Sequence, residues 1–537
     1  MTGPQTTGAG TSHVEVRRGA YADSVRLLAV SRDVAAVPGV LAAQVAMATP
    51  LNTEVLASMG FEVPPCSPDD LLVAVRVEDE GALTTALAAV ESALRGPAPG
   101  GRTAGAVPDV PPRTVRSAAA RAGVAATGDG PRGLALVSVP GEHAATEAWD
   151  ALAAGLDVML FSDNVPVEQE VALKDAAAAR GLLVMGPDCG TAVVGGVGLG
   201  FANVTRPGDV GIVAASGTGC QQLLCLLDAA GVGVSAALGV GGRDLSAAVG
   251  GRSTREALRR LDADPAVERI VVVSKPPAAE VAQDLQAYAE SLDTPVHLAL
   301  LGRFQPDLTA TVEALLLETG LTAPTWPTWG SVEDPPEGTP GRGRWLRGLF
   351  VGGTLCDEAM LVAEEWLGPV RSNIPLTPDV GLDPAVAAGV PDHVMLDFGD
   401  DALTRGRAHP MIDPTLRLQH LADVAADPTT AVVLLDVVLG HGADPDPAAT
   451  LAPAVEAALT RARDERRHLS VVVTCVGTEQ DPQGLRRQAE RLAAAGAEVY
   501  LSNAQAVGRA VGLLPPEVVL EEDGIEEDGI EDAVVPG

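Results

Sequence analysis

Aromatic residues make up only 3% of the 537-residue chain, and lysine occurs just twice, at Lys174 and Lys275. With so few rings, the cores must be built from Val, Leu, Ile and Ala. That composition suits parallel sheets buried under helices. Positive charge is short as well. The net charge of -34 excludes nucleic acid and anionic membrane as partners, and any anionic ligand must be held by local positive potential. The cysteines Cys66, Cys189, Cys220, Cys225, Cys356 and Cys475 form no CxxC pair, and none has a histidine at zinc-finger spacing. No metal site is expected, and a reduced cytoplasmic protein is. The opening stretch MTGPQTTGAGTSHVEVRRGA lacks the apolar core of a signal peptide. Runs such as AVVLLDVVLG fall far short of the roughly 20 residues of a membrane span. HExxH, GxSxG and Walker patterns are missing, which removes zinc-hydrolase, serine-hydrolase and P-loop readings.

What is present is a repeated grammar of strand, turn and helix. Residues 1–96 read as a small ferredoxin-like α+β unit. In it SVRLLAV is a strand or the start of a buried helix, AAQVAMAT and DLLVAVRVE are strands, and EGALTTALAAVESALR is an amphipathic helix. The Pro/Gly-rich stretch 97–112 is a linker. Residues 113–205 and 206–321 alternate strands with helices, 322–344 is a second linker, and 345–515 repeats the grammar. Each strand hands over to a helix, so parallel sheets are expected. The fold class is therefore α/β, with tandem parallel-sheet domains preceded by a small α+β domain. Residues 516–537 contain the acidic repeat EEDGIEEDGIED, expected to be a disordered tail.

Ligands of open parallel sheets bind at the carboxyl ends of strands. There, GIVAASGTGCQQ runs from a buried strand through Ser216, Gly217, Thr218 and Gly219 into a helix. Small residues let backbone N–H groups approach an anion, and the helix dipole favours it. The plain alternative is a tight turn with a Ser/Thr cap. LGHGADPDP places Gly440, His441 and Gly442 in a similar turn, with His441 either a general acid/base or an exposed turn residue. LGVGGRD offers Arg243 to an anion. DFGDDALTRGRAHPMIDPTLR gathers Asp397, Arg405, Arg407, His409 and Arg417, either an oxyanion clamp or a surface loop with ordinary ion pairs. Lys275 ends a buried strand and should emerge at the same sheet edge. Lys174 is expected to be solvated on a helix face. Cys189 reads as a small buried hydrophobe beside a strand end.

In order and spacing, GPDCGT, DVGIVAASGTG and LGVGGRD resemble the α-subunit of succinyl-CoA synthetase. The stretch from about 345 to 514 is similar to the C-terminal ligase domain of its β-subunit. LFSDNVPVEQE, MGPDCGT, VGGTLCDEA and HPMIDP, together with the N-terminal unit, resemble the FdrA family. The resemblance implies Rossmann- and flavodoxin-like domains, the first truncated and CoA-binding-like. It also implies one chain carrying both halves of a phosphate cradle, the second at the LGHGADPDP turn. The synthetase's phosphorylated histidine has no counterpart after PVHLALLG, and Ser274-Lys275-Pro276-Pro277 stands where its GEIGG would be. No ATP-grasp module remains, and the Gly-rich unit that opens a CoA domain is missing before GLALVSV, so weak or no CoA binding is expected. FdrA relatives are tied to carbamoyl transfer between oxalurate and phosphate, together with partner proteins. Phosphate as co-substrate, a small anionic carboxylate substrate, partner subunits and an oligomer are the corresponding expectations. On this reading His441, Lys275 and His409 are the catalytic candidates. Ser216, Gly217, Thr218, Gly219, Gly440 and Gly442 bind phosphate, while Arg243, Arg405, Arg407 and Arg417 hold the carboxylate. An acyl-CoA synthetase subunit served by a separate ATP-grasp chain and a non-catalytic scaffold are the alternatives.

Overall fold

A computed structural model describes residues 11–20, 22, 24–95, 112–124, 133–335, 341–387, 389–404 and 407–519. Arg405 and the acidic repeat of the tail lie outside the described residues, as does all but the last residue of the 97–112 linker. The chain divides into two compact units, residues 1–118 with 402–408, and residues 119–401 with 409–537. No helix among the described residues is long and apolar enough to cross a membrane.

The first unit holds a three-stranded antiparallel sheet in which Leu71–Val77 lies between Thr11–Arg17 and Val40–Met47. Alternation along the central strand decides what packs where. Leu71, Val73 and Val75 meet Leu27, Val30 and Val34 on one face, while Leu72 and Ala74 meet Leu56 and Phe61 on the other. SVRLLAV resolves as helix Ser24–Ala35. Its Leu27, Val30 and Val34 follow the three-to-four-residue spacing of a helical stripe, which a strand could not use. The strand Thr11–Arg17 was not anticipated, because its alternating residues include too few apolar ones to stand out.

The second unit contains three sheets. Leu134–Val137, Asp157–Leu160 and Val184–Met185 form a short parallel one. The next runs in the order Val296–Leu300, Arg269–Ser274, Val210–Ala215, Val234–Gly239, Thr191–Val194 and Val197–Gly200. The last runs Thr328–Trp329, Glu498–Tyr500, Ser470–Val476, Thr430–Val438, Trp345–Phe350, Val394–Asp397 and Arg371–Ser372. Central strands such as Val210–Ala215 and Thr430–Val438 are buried along their whole length, as strands covered on both faces must be.

The expectation of purely parallel sheets needs two amendments, the edge strand Thr328–Trp329, which runs antiparallel to Glu498–Tyr500, and a hairpin. Thr191–Val194 and Val197–Gly200 form an antiparallel hairpin that joins the edge of the second sheet. The Gly195–Gly196 turn, both residues at positive φ, makes the reversal. The hairpin thus belongs to the second sheet and not to the domain before it. The stretch read as a second linker also carries order. Thr328–Trp329 pairs with Val499 and Tyr500, and Trp326 is buried, its indole N–H donating to Glu313.

Strand order locates the places where ligands can enter. In the six-stranded sheet the chain leaves Val210–Ala215 for Val234–Gly239 on one side and then crosses to Arg269–Ser274 on the other. In the seven-stranded sheet it leaves Trp345–Phe350 for Arg371–Ser372 and Val394–Asp397 on one side and then Thr430–Val438 on the other. The connections diverge at these two strands, so the crevice that takes a ligand is expected at the carboxyl ends of both, after Ala215 and after Phe350.

Candidate functional site

The two crevices meet. Ser216 follows the first switch strand and caps helix Gly217–Ala229, its Oγ accepting the N–H of Gly219 at 2.9 Å. The same hydroxyl donates to Thr354 Oγ1 at 2.6 Å. Thr354 is the second residue of helix Gly353–Leu367, which follows the other switch strand. Glycine is required at the contact. A Cβ on Gly219 would lie 3.0 Å from Thr354 Cγ2, and one on Gly352 would lie 2.7 Å from Thr218 Oγ1. The N–H groups of Gly217, Thr218, Gly353 and Thr354 donate to no acceptor among the described residues. Each helix start carries roughly half a positive charge, so two of them side by side repel unless negative charge lies near.

Titratable groups crowd this point. Lys275 follows strand Arg269–Ser274, and its Nζ lies 3.8 Å from Asp357 Oδ2 on helix Gly353–Leu367. Burial lowers the ammonium's pKa, but Asp357, Asp397 and Asp188 outweigh it, so the net shift is upward and the lysine stays charged. Asp397 ends strand Val394–Asp397 and is 3% exposed. Its Oδ1 accepts the N–H of Gly399 at 2.8 Å. A Cβ on Gly353 would sit 2.7 Å from both Asp397 Oδ2 and Lys275 Nζ, so the two side chains flank the first residue of that helix. Burial pushes the Asp397 carboxyl up to about 7, against the pull of Lys275 and the Gly399 N–H. Burial also raises Asp357 to about 6, with Lys275 opposing. Asp188, at φ 56, is exposed, so solvent screens the upward push that desolvation gives its carboxyl against the pull of Lys275.

The other sequence candidates fall around this centre or away from it. His409 Nδ1 accepts the N–H of Met411 at 3.2 Å, and its ring stacks on Phe201 at 5.4 Å. Burial lowers its pKa to about 4, so the ring is neutral and carries its proton on Nε2. Arg243 is partly exposed and donates to Val165 O at 2.7 Å, with Glu170 Oε2 at 3.1 Å. Arg417 is no clamp. It is 5% exposed and donates to Asp436 Oδ1 at 2.9 Å, and Asp436 in turn accepts the N–H groups of Val351 and Gly352. Its guanidinium therefore braces the loop before helix Gly353–Leu367. Arg407 belongs to the 402–408 segment of the first unit.

In the Gly440–Gly442 turn two of the three donors are taken, while the Gly442 N–H has no acceptor among the described residues. The Gly440 N–H goes to Gln483 Oε1, and His441 exchanges backbone hydrogen bonds with Ala202. The following helix starts at Pro447, which has no N–H, and Ala448 donates to Gln488. The His441 side chain is exposed. Lys174 is not solvated either. It is 2% exposed, and its ammonium donates to Glu170 Oε1, Val240 O and Asp244 Oδ1 at 2.7 to 3.0 Å. Cys189 is buried, as expected.

Sequence reasoning missed Thr354, Asp188 and Asp357 as members of the site. The signal for Thr354 was VGGT directly after a buried strand, the same pattern as SGTG. Asp188 and Asp357 could not be singled out among so many acids.

Residues 10–108 match the family described as AllF, heavy metal-associated domain, and residues 349–513 match the CoA-ligase family. The first description implies a metal, and the residues do not fit one. Cys66 is the sole thiol in residues 10–108, and no three His, Cys, Asp or Glu among the described residues group closely enough to hold an ion. The uncharacterized protein YahF of Escherichia coli K12 is 36% identical over 501 residues, covering 90% of this chain and 95% of that one. The succinate–CoA ligase [ADP-forming] α-subunit of Aquifex aeolicus is 27% identical over 177 residues, covering 32% of this chain and 57% of the subunit. A dinucleotide-forming acetyl-coenzyme A synthetase from Ca. Korarchaeum cryptofilum, solved with phosphate and ADP, aligns at 15% identity and a TM-score of 0.28. It covers 72% of this chain and 83% of that one.

Proposed function

This chain belongs to the FdrA family together with YahF, built on a CoA-ligase-like fold, and on that premise we propose that it transfers a carbamoyl or acyl group to phosphate held between two helix starts. The observation that carries the reading is the Ser216–Thr354 hydrogen bond at 2.6 Å, which brings the starts of helices Gly217–Ala229 and Gly353–Leu367 together. Four N–H groups without acceptors among the described residues, two helix dipoles and the Lys275 ammonium supply positive potential at one place in a chain of net charge -34. This replaces the pairing of Ser216 with the Gly440 turn as the proposed cradle.

The reaction is phosphorolysis of an N-acyl urea such as oxalurate. A phosphate oxygen bonds to the ureido carbonyl carbon, the bond from that carbon to the oxamate nitrogen breaks, and carbamoyl phosphate and oxamate leave. The helix starts hold the phosphate and the charge that grows on the carbonyl oxygen. Arg243, partly exposed at the crevice, holds the organic carboxylate. No step needs ATP or a phosphohistidine. Partner subunits and assembly into an oligomer belong to the same proposal.

A second reading is an acid–CoA ligase component, favoured by the CoA-ligase match over residues 349–513. One assay separates them. The purified chain, alone and with its genomic neighbours' products, is given oxalurate with phosphate or arsenate. Carbamoyl phosphate, or arsenate-dependent loss of oxalurate, is expected. Thioester formation that needs ATP and CoA, with no phosphorolysis, would replace the first reading with the second.

A further inference from the structure

Phosphorolysis leaves one requirement that the cradle does not meet. The departing nitrogen must receive a proton, or it leaves as an anion. Lys275 is held charged by its acidic neighbours, and the proton of His409 Nε2 lies on a ring whose burial disfavours gaining another. Asp397 stands at the right place. It is nine-tenths and more buried, its Oδ1 is engaged by Gly399, and its Oδ2 accepts no hydrogen bond from the described residues. That free oxygen lies against Gly353, opposite Lys275 Nζ, at the start of a helix whose first N–H groups are also free.

We propose that Asp397 is a catalytic acid–base residue, whose Oδ2 faces the bound phosphate and hands a proton to the departing nitrogen. The proposal rests on the phosphate-transfer reading. The carboxylic acid O–H bond breaks as the new N–H bond of oxamate forms. The carboxylate then takes the proton of the attacking monohydrogen phosphate, so Asp397 ends as it began and no other reactant is consumed. A carboxylic acid is suited to this place because in its protonated form it adds a donor to the cradle, whereas the carboxylate would repel the anion. Its upward shift to about 7 keeps both forms available near neutral pH. The groups facing it are Lys275, Asp357 and the buried Cys356 thiol from the helix, and Asp400 in the following turn. Cys356 feels the Asp397 charge, and Asp188 acts on Lys275 as Asp397 does.

Two measurements on the full chain test this. Sulfate, doubly charged throughout the range, is titrated calorimetrically between about pH 6 and about pH 8. Its affinity should weaken by up to roughly tenfold per pH unit above about 7 as Asp397 ionises. Asp397→Asn should remove that part of the slope, leaving what Asp188 and Asp357 contribute. In the phosphorolysis assay the same variant should lose about a hundredfold to ten-thousandfold in kcat while KM for phosphate stays within about threefold. The wild-type rate should fall above about pH 7, and the residual rate of the variant should not. Equal sulfate slopes in the two proteins, or a kcat within about tenfold of wild type, would overturn the role of Asp397 and leave the cradle standing. No sulfate binding at any pH would overturn the cradle and this proposal together.

Discussion

Ser216 and Thr354 are 138 residues apart in sequence and 2.6 Å apart in space. Each stands at the carboxyl end of the strand where its sheet changes direction of winding. The bond therefore fastens one switch point to the other, and its loss has a definite price in stability. Ser216→Ala removes a cap and should cost about 1 kcal/mol, lowering Tm by only about one degree in a unit of this size. Phosphate affinity should fall less than about tenfold, because the backbone donors remain. Thermal melts with and without phosphate would measure both.

Gly353→Ala separates site from fold. The new methyl group would sit 2.7 Å from Lys275 Nζ and Asp397 Oδ2, so both must move away from the helix start. Alanine suits a helix better than glycine, which offsets local strain. Stability within about 1 kcal/mol of wild type, with phosphate binding weakened at least about tenfold, is the expected pair of results from denaturation and calorimetry.

Lys174→Met should be severe although Lys174 touches no part of the crevice. It would leave Glu170 and Asp244 buried without their ammonium, a change that typically costs about 3–5 kcal/mol. A solvated lysine would cost within about 0.5 kcal/mol. Urea denaturation of the variant decides between them.

Arg417 and Arg243 should respond differently. Arg417→Met strips Asp436 of its cation and should appear as lost stability. Arg243→Met should appear as a raised KM for the carboxylate substrate with stability nearly unchanged. Steady-state kinetics beside denaturation curves distinguishes the two.

Stability should also depend on pH in an uncommon direction. Burial raises Glu358 and Asp397 to about 7, and Asp357 and Asp436 to about 6. An acid whose folded pKa is raised binds more protons folded than unfolded. Its contribution is full below the unfolded value near about 4 and is lost as pH rises through about 6 to 7. His393 and His409, lowered by burial to about 4, work the other way, and their contribution is lost as pH falls from about 6.5 to about 4. Burial also raises Asp307 and Asp481 and lowers His420 and His468, and with the buried acids outnumbering the histidines a net loss of stability is predicted between about pH 5 and about pH 7.5. Asp436→Asn should shrink that loss, as read from urea midpoints at the two values.

Much of the fold was legible because buried strands and amphipathic helices alternate so regularly. The hairpin Thr191–Gly200 was not, since its turn residues resemble those of the strand-to-helix loops around it. At the site, SGTG was legible and its partner was not. VGGT carries the same small residues, but which strand end faces which depends on the order of strands in the sheet, and no local pattern states that order. The Gly440 turn looked equivalent from sequence. It follows a strand that is not a switch strand, and two of its donors are spent on Gln483 and Ala202. Lys174 misled because Glu170 four residues earlier suggests an ordinary surface pair. Asp244, which buries it, comes from a turn 70 residues on.

The contacts that lock the six-stranded sheet to the seven-stranded one have a kinetic meaning. Asn203 donates to Leu439 O and Asp481, Thr478 donates to Val204 O, and Gln222 donates to Leu501 O, all within one polypeptide. The two helix starts therefore meet by an intramolecular step, at an effective concentration on the order of millimolar whatever the protein's own concentration. Specific phosphate binding per chain should stay constant on dilution into the nanomolar range, where a site divided between separate polypeptides would come apart.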